Sequence, residues 1–144
     1  MFDYNVKVTR VVDGDTVDVT VDLGFSIHHK ARVRMMGIDT PESRTRNLEE
    51  KALGLASKAR LKELLKGQKV RLECTKEKGK FGRILGALWV GDVNINDQLV
   101  EEGYARPYWG GKKVPWVEWM LVSCKQSLRR LARWAFAFWR RYGC

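Results

Sequence analysis

The sequence contains few cysteines and histidines, and this shortage argues against sites that depend on them. Cys74, Cys124 and Cys144 are an odd number without the spacing of a metal-ligand set, so we expect reduced thiols with no functional role. The two histidines, His28 and His29, fall in what reads as a hairpin loop with no nearby ligand cluster. A zinc site or a histidine-based catalytic centre is therefore not expected.

Long apolar runs are also missing. No run approaches the ~20 residues that a membrane-spanning helix needs, and the N-terminal stretch MFDYNVKVTR has no basic segment followed by an apolar one. Such a pair of segments would mark a secretory signal, although a signal already removed would leave the same sequence. We therefore expect a soluble, intracellular protein.

Acidic residues are outnumbered by basic ones. The 144 residues include 27 Lys and Arg against 17 Asp and Glu, which gives a formal net charge of +10, and the pI is near 9.8. Such an excess attracts polyanions and speeds their encounter, which suits nucleic acid or an anionic membrane surface. Length and ordinary hydrophobic content predict one compact domain over 1–144, with its core over about 6–110.

Three strands are predicted before the first helix. β-Branched residues favour a strand over Val6–Val12, and Asp13–Gly14 interrupts it as a turn. From Asp15 to Asp22, valines alternate with polar residues at the period of a half-buried strand. A third strand is predicted over Ala31–Ile38, so these segments form a meander.

Helical spacing replaces this alternation over Asn47–Lys66, and Gly67 stands where a left-handed C-terminal cap would fall. The apolar residues of this helix are expected to share one buried stripe, made of Leu48, Ala52, Leu55, Ala59, Leu61, Leu64 and Leu65.

The remaining segments complete a recognisable order of elements. Two more strands are predicted over Val70–Cys74 and Ile84–Val90, and a short helix over Ile95–Glu102. A further helix is predicted over about 116–142. The order indicates an α+β fold, in which a five-stranded OB-type barrel carries about three packed helices.

Two acidic segments are candidates for chemistry, namely Asp13–Thr16 (Asp-Gly-Asp-Thr) and Asp39–Glu42 (Asp-Thr-Pro-Glu). Strand parity puts Asp15 on the apolar face, where a carboxylate is costly unless it reaches the barrel rim or meets a cation. Carboxylate ligands suit Ca²⁺ or Mg²⁺ rather than Zn²⁺. The alternative is structural: Asp-Gly is also a hairpin turn, and Asp-Thr-Pro-Glu also starts helices.

Arginines are the second candidate group. Parity places Arg32 and Arg34 together on one face of the third strand and does not choose between them. Arg83 follows Gly82 in a basic loop, where the glycine lets the backbone turn closely. A guanidinium group matches phosphate oxygens and keeps its charge, so it can stabilise the transition state of phosphoryl transfer. A solvated surface role is the alternative for each.

Taken together, these segments closely resemble the staphylococcal (micrococcal) nuclease family. The resemblance is carried by Asp13–Thr16, by Arg34 with Asp39–Glu42, and by Lys80–Arg83 (Lys-Phe-Gly-Arg), in this order. It extends from about Val6 to Arg106. It implies the barrel fold and a thermonuclease-like, Ca²⁺-dependent hydrolysis of phosphodiester bonds in DNA or RNA that leaves 3′-phosphate ends.

The resemblance also implies a calcium site and a base. Asp15 and Asp39 would bind Ca²⁺ through their carboxylates, and Thr40 would bind it through its backbone carbonyl. Glu42 would act as general base or position the attacking water.

The same resemblance implies that Arg34 and Arg83 hold the scissile phosphate, and it is what favours Arg34 over Arg32. Among weaker candidates for substrate contact, Lys80 would attract phosphate. Phe81 stands where the family often has Tyr and keeps a face on which a base could stack.

Tyr108 and Trp109 lie near the position where family members carry aromatic residues that flank the substrate. A base stacked on such a ring is worth about 1–3 kcal/mol. Packing of the two rings within a loop is the alternative.

The C-terminal segment departs most from the family pattern, because Leu128–Tyr142 mixes arginine and tryptophan with apolar residues. Helical spacing would bury Leu128, Leu131, Ala135 and either Phe138 or Trp139 against the barrel. An interfacial membrane helix and an additional nucleic-acid contact are the alternatives.

A non-catalytic nucleic-acid-binding module on the same barrel is the alternative function, since a fold does not determine an activity. Retention of the acidic residues together with Arg34 and Arg83 favours the enzyme. DNA or RNA is the expected partner, no protein partner is expected, and the chain is expected to be a monomer.

Overall fold

The computed structural model describes residues 1–116 and 118–122, and for Lys76 it describes the backbone alone. The chain divides into two compact units, Met1–Gly110 and Gly111–Cys144. Every strand of the described residues belongs to the first unit. Its elements in chain order are β1 (Phe2–Asp13), β2 (Thr16–Asp22), β3 (His28–Met35), β4 (Ile38–Asp39), α1 (Leu48–Leu65), β5 (Val70–Lys78), β6 (Ile84–Val90), β7 (Val93–Asn94), α2 (Ile95–Glu101) and β8 (Arg106–Pro107).

Five strands close into a barrel, which confirms the predicted fold. β1 pairs antiparallel with β2 and with β5, β2 pairs with β3, and β5 pairs with β6. Parallel pairing of β3 with β6 joins the two edges. Closure removes the free edges of the sheet.

The interior of the barrel follows from the alternation in β2. Val17, Val19 and Val21 are almost completely buried, whereas the polar residues between them lie on the other face. They pack with Val33, Met35, Leu72 and Leu88 from neighbouring strands. The alternation that predicted the strand therefore also identified the core face.

Both ends of α1 agree with the sequence-based prediction. The Asn47 side chain accepts hydrogen bonds from the backbone N–H groups of Glu49 and Glu50, at 3.1 and 3.2 Å, and so caps the helix. Gly67 has φ +67°, the left-handed conformation expected just beyond a helix C-terminus.

The predicted apolar stripe of α1 is wrong from Leu48 to Ala59. Leu48 is 78% exposed and Leu55 is 48% exposed, and Ala52 and Ala59 also face outward. The buried residues are Gly54, Ser57, Leu61 and Leu65.

Small residues replace leucine there because the helix lies directly on backbone. A Cβ atom at Gly54 would lie 2.5 Å from the carbonyl carbon of Glu42. The Ser57 hydroxyl donates to the carbonyl oxygen of Tyr104 at 2.8 Å. Spacing of large apolar residues could not reveal such a close approach, which depends on the absence of side-chain volume.

The predicted hairpin loop containing the two histidines is shorter than expected. His28 and His29 belong to β3, where they pair with Asp22 and Val21 of β2 and are exposed. Only residues 23–27 form the connection, and it needs positive φ values at Gly24, Phe25 and Ser26.

In the second unit, residues 116 and 118–122 are helical, and the ring of Trp116 meets that of Trp119 edge to face at 5.3 Å. The predicted helix continues over residues that lie outside those described, including Leu128–Tyr142. Within the described part of the chain, every helix is too short or too polar to cross a membrane.

Candidate active site

The turn between β1 and β2 carries the first acidic segment and is held close to α1. A Cβ atom at Gly14 would lie 2.7 Å from the Cβ atom of Ser57 and 3.1 Å from that of Thr40. Glycine is therefore required for this approach. On the near side of the turn, Asp13 accepts a short hydrogen bond from the hydroxyl of Ser43.

Asp15 lies in this turn and is only 8% exposed. Its Oδ2 atom accepts from the backbone N–H of Thr40 at 3.2 Å, and its Oδ1 atom accepts from the Thr16 hydroxyl at 3.0 Å. Its own carbonyl accepts from the Met35 N–H at 2.8 Å. These contacts join the β1–β2 turn to the ends of β3 and β4, at the rim of the barrel.

Arg34 brings the two acidic segments together. Its Nη1 atom lies 3.1 Å from Oδ2 of Asp15, and its Nη2 atom lies 3.6 Å from Oδ1 of Asp39. Arg32, on the same face of β3, instead pairs with Asp18 at 2.6 Å. Arg34, and not Arg32, thus contacts the two carboxylates that are the candidate metal ligands.

Arg106 completes the cluster, and sequence reasoning did not single it out. It is 5% exposed, and its Nε and Nη2 atoms both donate to Oδ2 of Asp39, at 3.1 and 3.0 Å. Asp39 and Arg106 are direct partners in the pairing of β4 with β8. Because both strands have only two residues, no alternation in the sequence could have revealed this pair.

Two carboxylates and two guanidinium groups therefore meet in a largely buried place. Attraction between opposite charges is stronger there than in water, and each buried carboxylate needs its partner to offset desolvation. Arg106 holds Oδ2 of Asp39, so Oδ1 is the oxygen that faces Arg34.

The donor atoms fit a hard cation. Asp15 and Asp39 supply carboxylate oxygens, which Ca²⁺ prefers. The neighbouring Thr40 hydroxyl is buried and has no hydrogen-bond partner among the described residues. Within residues 1–116 and 118–122, no set of three acidic, histidine or cysteine side chains has metal-binding geometry. Backbone carbonyl, water or substrate oxygens would therefore have to complete the coordination shell.

Glu42 lies on the loop that follows β4, three residues after Asp39. Its side chain is exposed, so water can reach it, and its backbone N–H donates to Oε1 of Glu50 at 3.4 Å. The backbone of this loop packs closely against Gly54 of α1.

Arg83 is placed differently from Arg34. Its Nε atom donates to the Lys80 carbonyl at 3.4 Å, and its guanidinium lies 5.5 Å from the centre of the Phe81 ring. Arg83 immediately precedes Ile84, which pairs with Val33 of β3. Its side-chain hydrogen bond and ring contact in the described part of the chain are therefore with its own loop and not with the acidic cluster.

The remaining aromatic candidates, Tyr108 and Trp109, lie at the turn between β3 and β4. The Tyr108 N–H donates to the Gly37 carbonyl at 3.0 Å. The six-membered ring of Trp109 would lie 2.8 Å from a Cβ atom at Gly37, yet the side chain is largely exposed. The exposed Trp109 ring thus lies against Gly37, two residues before Asp39 in the chain.

Comparison with known proteins agrees with this arrangement. A family profile described as "Staphylococcal nuclease homologue" matches residues 32–115. The chain is 41% identical over 100 residues to the thermonuclease of Staphylococcus intermedius, covering 69% of this chain and 56% of that protein. It is 34% identical over 104 residues to the endonuclease YncB of Bacillus subtilis, covering 71% and 47%.

A further relative is the micrococcal nuclease of Shigella flexneri, 35% identical over 115 residues, with 74% of this chain and 59% of that protein covered. The chain thus spans about half the length of the curated relatives it matches.

Proposed function

The chain belongs to the staphylococcal nuclease family, and from that premise we propose that it is a metal-dependent nuclease that hydrolyses phosphodiester bonds of DNA or RNA. The observation that carries this proposal is the buried cluster of Asp15, Arg34 and Asp39. It combines oxygen donors for a divalent ion with a guanidinium group that matches a phosphate.

Ca²⁺ is the proposed metal, held by the carboxylates of Asp15 and Asp39 and by the backbone carbonyl of Thr40. Burial of both carboxylates and the hard character of their oxygen atoms support this choice. When bound, the ion supplies charge for a phosphate oxygen and increases the acidity of a bound water.

The protein's own residues supply the base and the charge stabilisation that hydrolysis also needs. Glu42 accepts a proton from the attacking water at its carboxylate, and its exposure leaves room for that water. Arg34 offsets the negative charge that develops on the phosphate. A preorganised donor of this kind contributes about 3–4 kcal/mol to transition-state stabilisation.

Arg83 is proposed to hold the phosphate from the opposite side and to assist departure of the 5′ oxygen. The P–O5′ bond then breaks, so one product ends in 3′-phosphate and the other in a 5′-hydroxyl. The position of Arg83 beside the exposed Phe81 supports contact with the substrate. Lys80, Tyr108 and Trp109 are proposed as further substrate contacts. Lys80 is in contact with Arg83, and Tyr108 and Trp109 lie against Gly37, just before β4.

The test incubates plasmid and single-stranded DNA with the purified chain, first with Ca²⁺ and then with excess chelator. We expect fragments with Ca²⁺ and intact substrate with chelator, and end-group analysis should find 3′-phosphate. Equal cleavage in both conditions would remove the metal from the proposal.

A non-catalytic nucleic-acid-binding module is the second candidate. The observation that favours it is the contact of Arg83 with Phe81 rather than with the acidic cluster. A gel shift of intact DNA in the presence of Ca²⁺ would support the binding module against the enzyme.

A further inference from the structure

Beyond the acidic cluster, we propose that a single-stranded nucleic acid is bound along a basic track, which runs over the outside of the barrel from Arg83 to the lysines of α1. The track consists of two adjoining grooves. The first, the helix groove, lies between β1 and α1, and the second, the sheet groove, lies over β2 and β3. The proposal rests on the proposed function, since it names how that site would hold a long substrate.

The helix groove is strongly cationic. It has a volume of about 450 Å³, and its charged lining residues are Arg10, Lys58, Lys62 and Lys66, with no acidic residue among them. The three lysines are four positions apart, with about 6 Å between successive positions. Lys58 and Lys62 therefore share one face of α1, and Lys66 continues the row at the C-cap of the helix. None of the four cations forms an ion pair with a carboxylate in the part of the chain that the structure describes.

This concentration of charge differs from the usual solvated helix face. Lysines four residues apart repel one another, and an opposite charge between them would relieve the repulsion. Elsewhere on α1, Arg60 is offset by Glu63 and Glu102, at 3.0 and 2.6 Å. The row of lysines instead faces a groove whose fourth cation comes from β1, so a polyanion is the fitting occupant.

The sheet groove adds a place for a base. Its volume is about 620 Å³, and it is lined by Lys30, Arg32, Phe81 and Arg83 together with Asp18. Asp18 neutralises Arg32, which leaves the charges of Lys30 and Arg83 for a ligand. The Phe81 ring is 93% exposed and can stack an unpaired base.

Thr9 joins the two grooves, because it lines both of them. A strand whose phosphate lies at Arg83 can therefore continue past Thr9 to Arg10 and the lysine row. Cations that follow a backbone, combined with an exposed aromatic ring, are how proteins bind single strands without sequence preference. A paired base would not be free to stack on Phe81, which is why we assign the track to a single strand.

The experiment compares two matched pairs of substitutions. Lys62→Gln with Lys66→Gln removes two charges from the helix groove. Lys7→Gln with Lys69→Gln removes two charges from exposed lysines that line neither groove. Binding of a fluorescent single-stranded oligonucleotide is followed by anisotropy at several salt concentrations, with chelator present so that the DNA stays intact.

We expect the groove pair to weaken binding far more than the control pair. For a single strand, each phosphate contact changes log K by about 0.7 per tenfold change in salt. Loss of one or two contacts should therefore weaken binding at 0.1 M salt by about 5-fold to 25-fold, and should reduce the salt slope by about 0.7 to 1.4. Arg10→Gln, on the opposite wall of the groove, should act in the same direction.

Equal losses from the two pairs would overturn the proposal, because they would show a general effect of net charge. A stronger effect on duplex than on single-stranded DNA would also overturn it. So would unchanged DNA binding with lost binding to phosphatidylserine vesicles, which would assign the groove to a membrane surface. If the wild type binds through the groove but never cleaves with Ca²⁺, the track stands and the proposed function fails.

Discussion

At the scale of single residues, the site depends on how two buried carboxylates are partnered. Asp15 is held by Thr16, Thr40 and Arg34, and Asp39 is held by Arg34 and by Arg106. A carboxylate fixed by several donors keeps its orientation without a ligand, which is what preorganisation of a metal or phosphate site requires.

Replacement of Arg106 tests how much the fold depends on this partnership. Arg106→Met removes the nearer of the two guanidinium partners of Asp39 and leaves only Arg34, 3.6 Å away. We therefore expect a loss of about 3 kcal/mol in the free energy of unfolding, the lower end of the range for a broken buried ion pair. Urea denaturation measures it.

The double variant Arg106→Met with Asp39→Asn serves as the control, since it also removes the carboxylate charge that Arg106 offsets. It should recover a large part of the loss. If it is as unstable as the single variant, the pair does not carry the stability assigned to it.

Glu42 supports a prediction about rate rather than stability. Its side chain is exposed, so Glu42→Gln should fold like the wild type and should lower the rate of DNA cleavage by a factor on the order of 10² to 10⁴, the contribution of a general base. Initial rates with Ca²⁺ measure the change, and Glu49→Gln on the nearby first turn of α1 is the matched control. An unchanged rate would remove Glu42 from the mechanism.

At the scale of elements, α1 positions the site through residues that lack bulk. Gly54 lies against the Glu42–Ser43 backbone, and Ser57 lies against Gly14 and Tyr104. The helix thus supports both acidic segments, and its large apolar residues Leu61 and Leu65 pack into the core only in its second half.

Gly54→Ala tests this support. Helix propensity alone would stabilise the variant by about 1 kcal/mol. A new Cβ atom 2.5 Å from the backbone of Glu42 should overcome that gain, with a net loss of about 1–3 kcal/mol in the free energy of unfolding, and should lower the cleavage rate by moving Glu42.

Ala59→Gly, at an exposed position of the same helix, gives the propensity effect by itself. If Gly54→Ala is more stable than the wild type and equally active, the helix does not constrain the loop.

The pair of Arg60 with Glu102 links α1 to the end of α2 and should make stability depend on pH. The hydrogen bond from Arg60 holds the pKa of Glu102 below its ordinary value. A lowered carboxyl pKa contributes stability above the pKa of the unfolded state, about 4.3, and that contribution disappears as pH falls through the folded pKa.

Glu102→Gln should therefore lower the melting temperature at pH 7, and the difference from the wild type should shrink below about pH 4. Thermal melts at several pH values measure it. Glu63→Gln, whose carboxylate is more exposed in its bond to Arg60, should show a smaller difference. A constant difference at every pH would show that the charge of Glu102 is not involved.

At the scale of the whole molecule, the barrel was predictable because its signals are local and repeated. Alternating valines in β2 and the cap residues of α1 fixed the elements to within a few residues. β4 and β8 have two residues each and carry no periodic pattern, so the buried partnership of Asp39 with Arg106 arises only from tertiary structure.

The position of Arg83 shows a second reason for the limits of sequence reasoning. The order of motifs predicts that it joins the phosphate-binding arginines, and that role stays a prediction. The two residues before it, Phe81 and Gly82, have φ values of +60° and +68°. A positive φ value is rare for phenylalanine, so the residue types do not predict this turn.

The central claim is that Asp15 and Asp39 hold a divalent cation beside Arg34. Calorimetric titration of the purified chain with Ca²⁺, in parallel with a correctly folded Asp15→Asn variant, tests it most directly. We predict one saturable Ca²⁺ site in the wild type and a strong loss of that binding in the variant, because a charged ligand is replaced by a neutral one. Equal Ca²⁺ binding by the two proteins, or no binding by the wild type, would contradict the account.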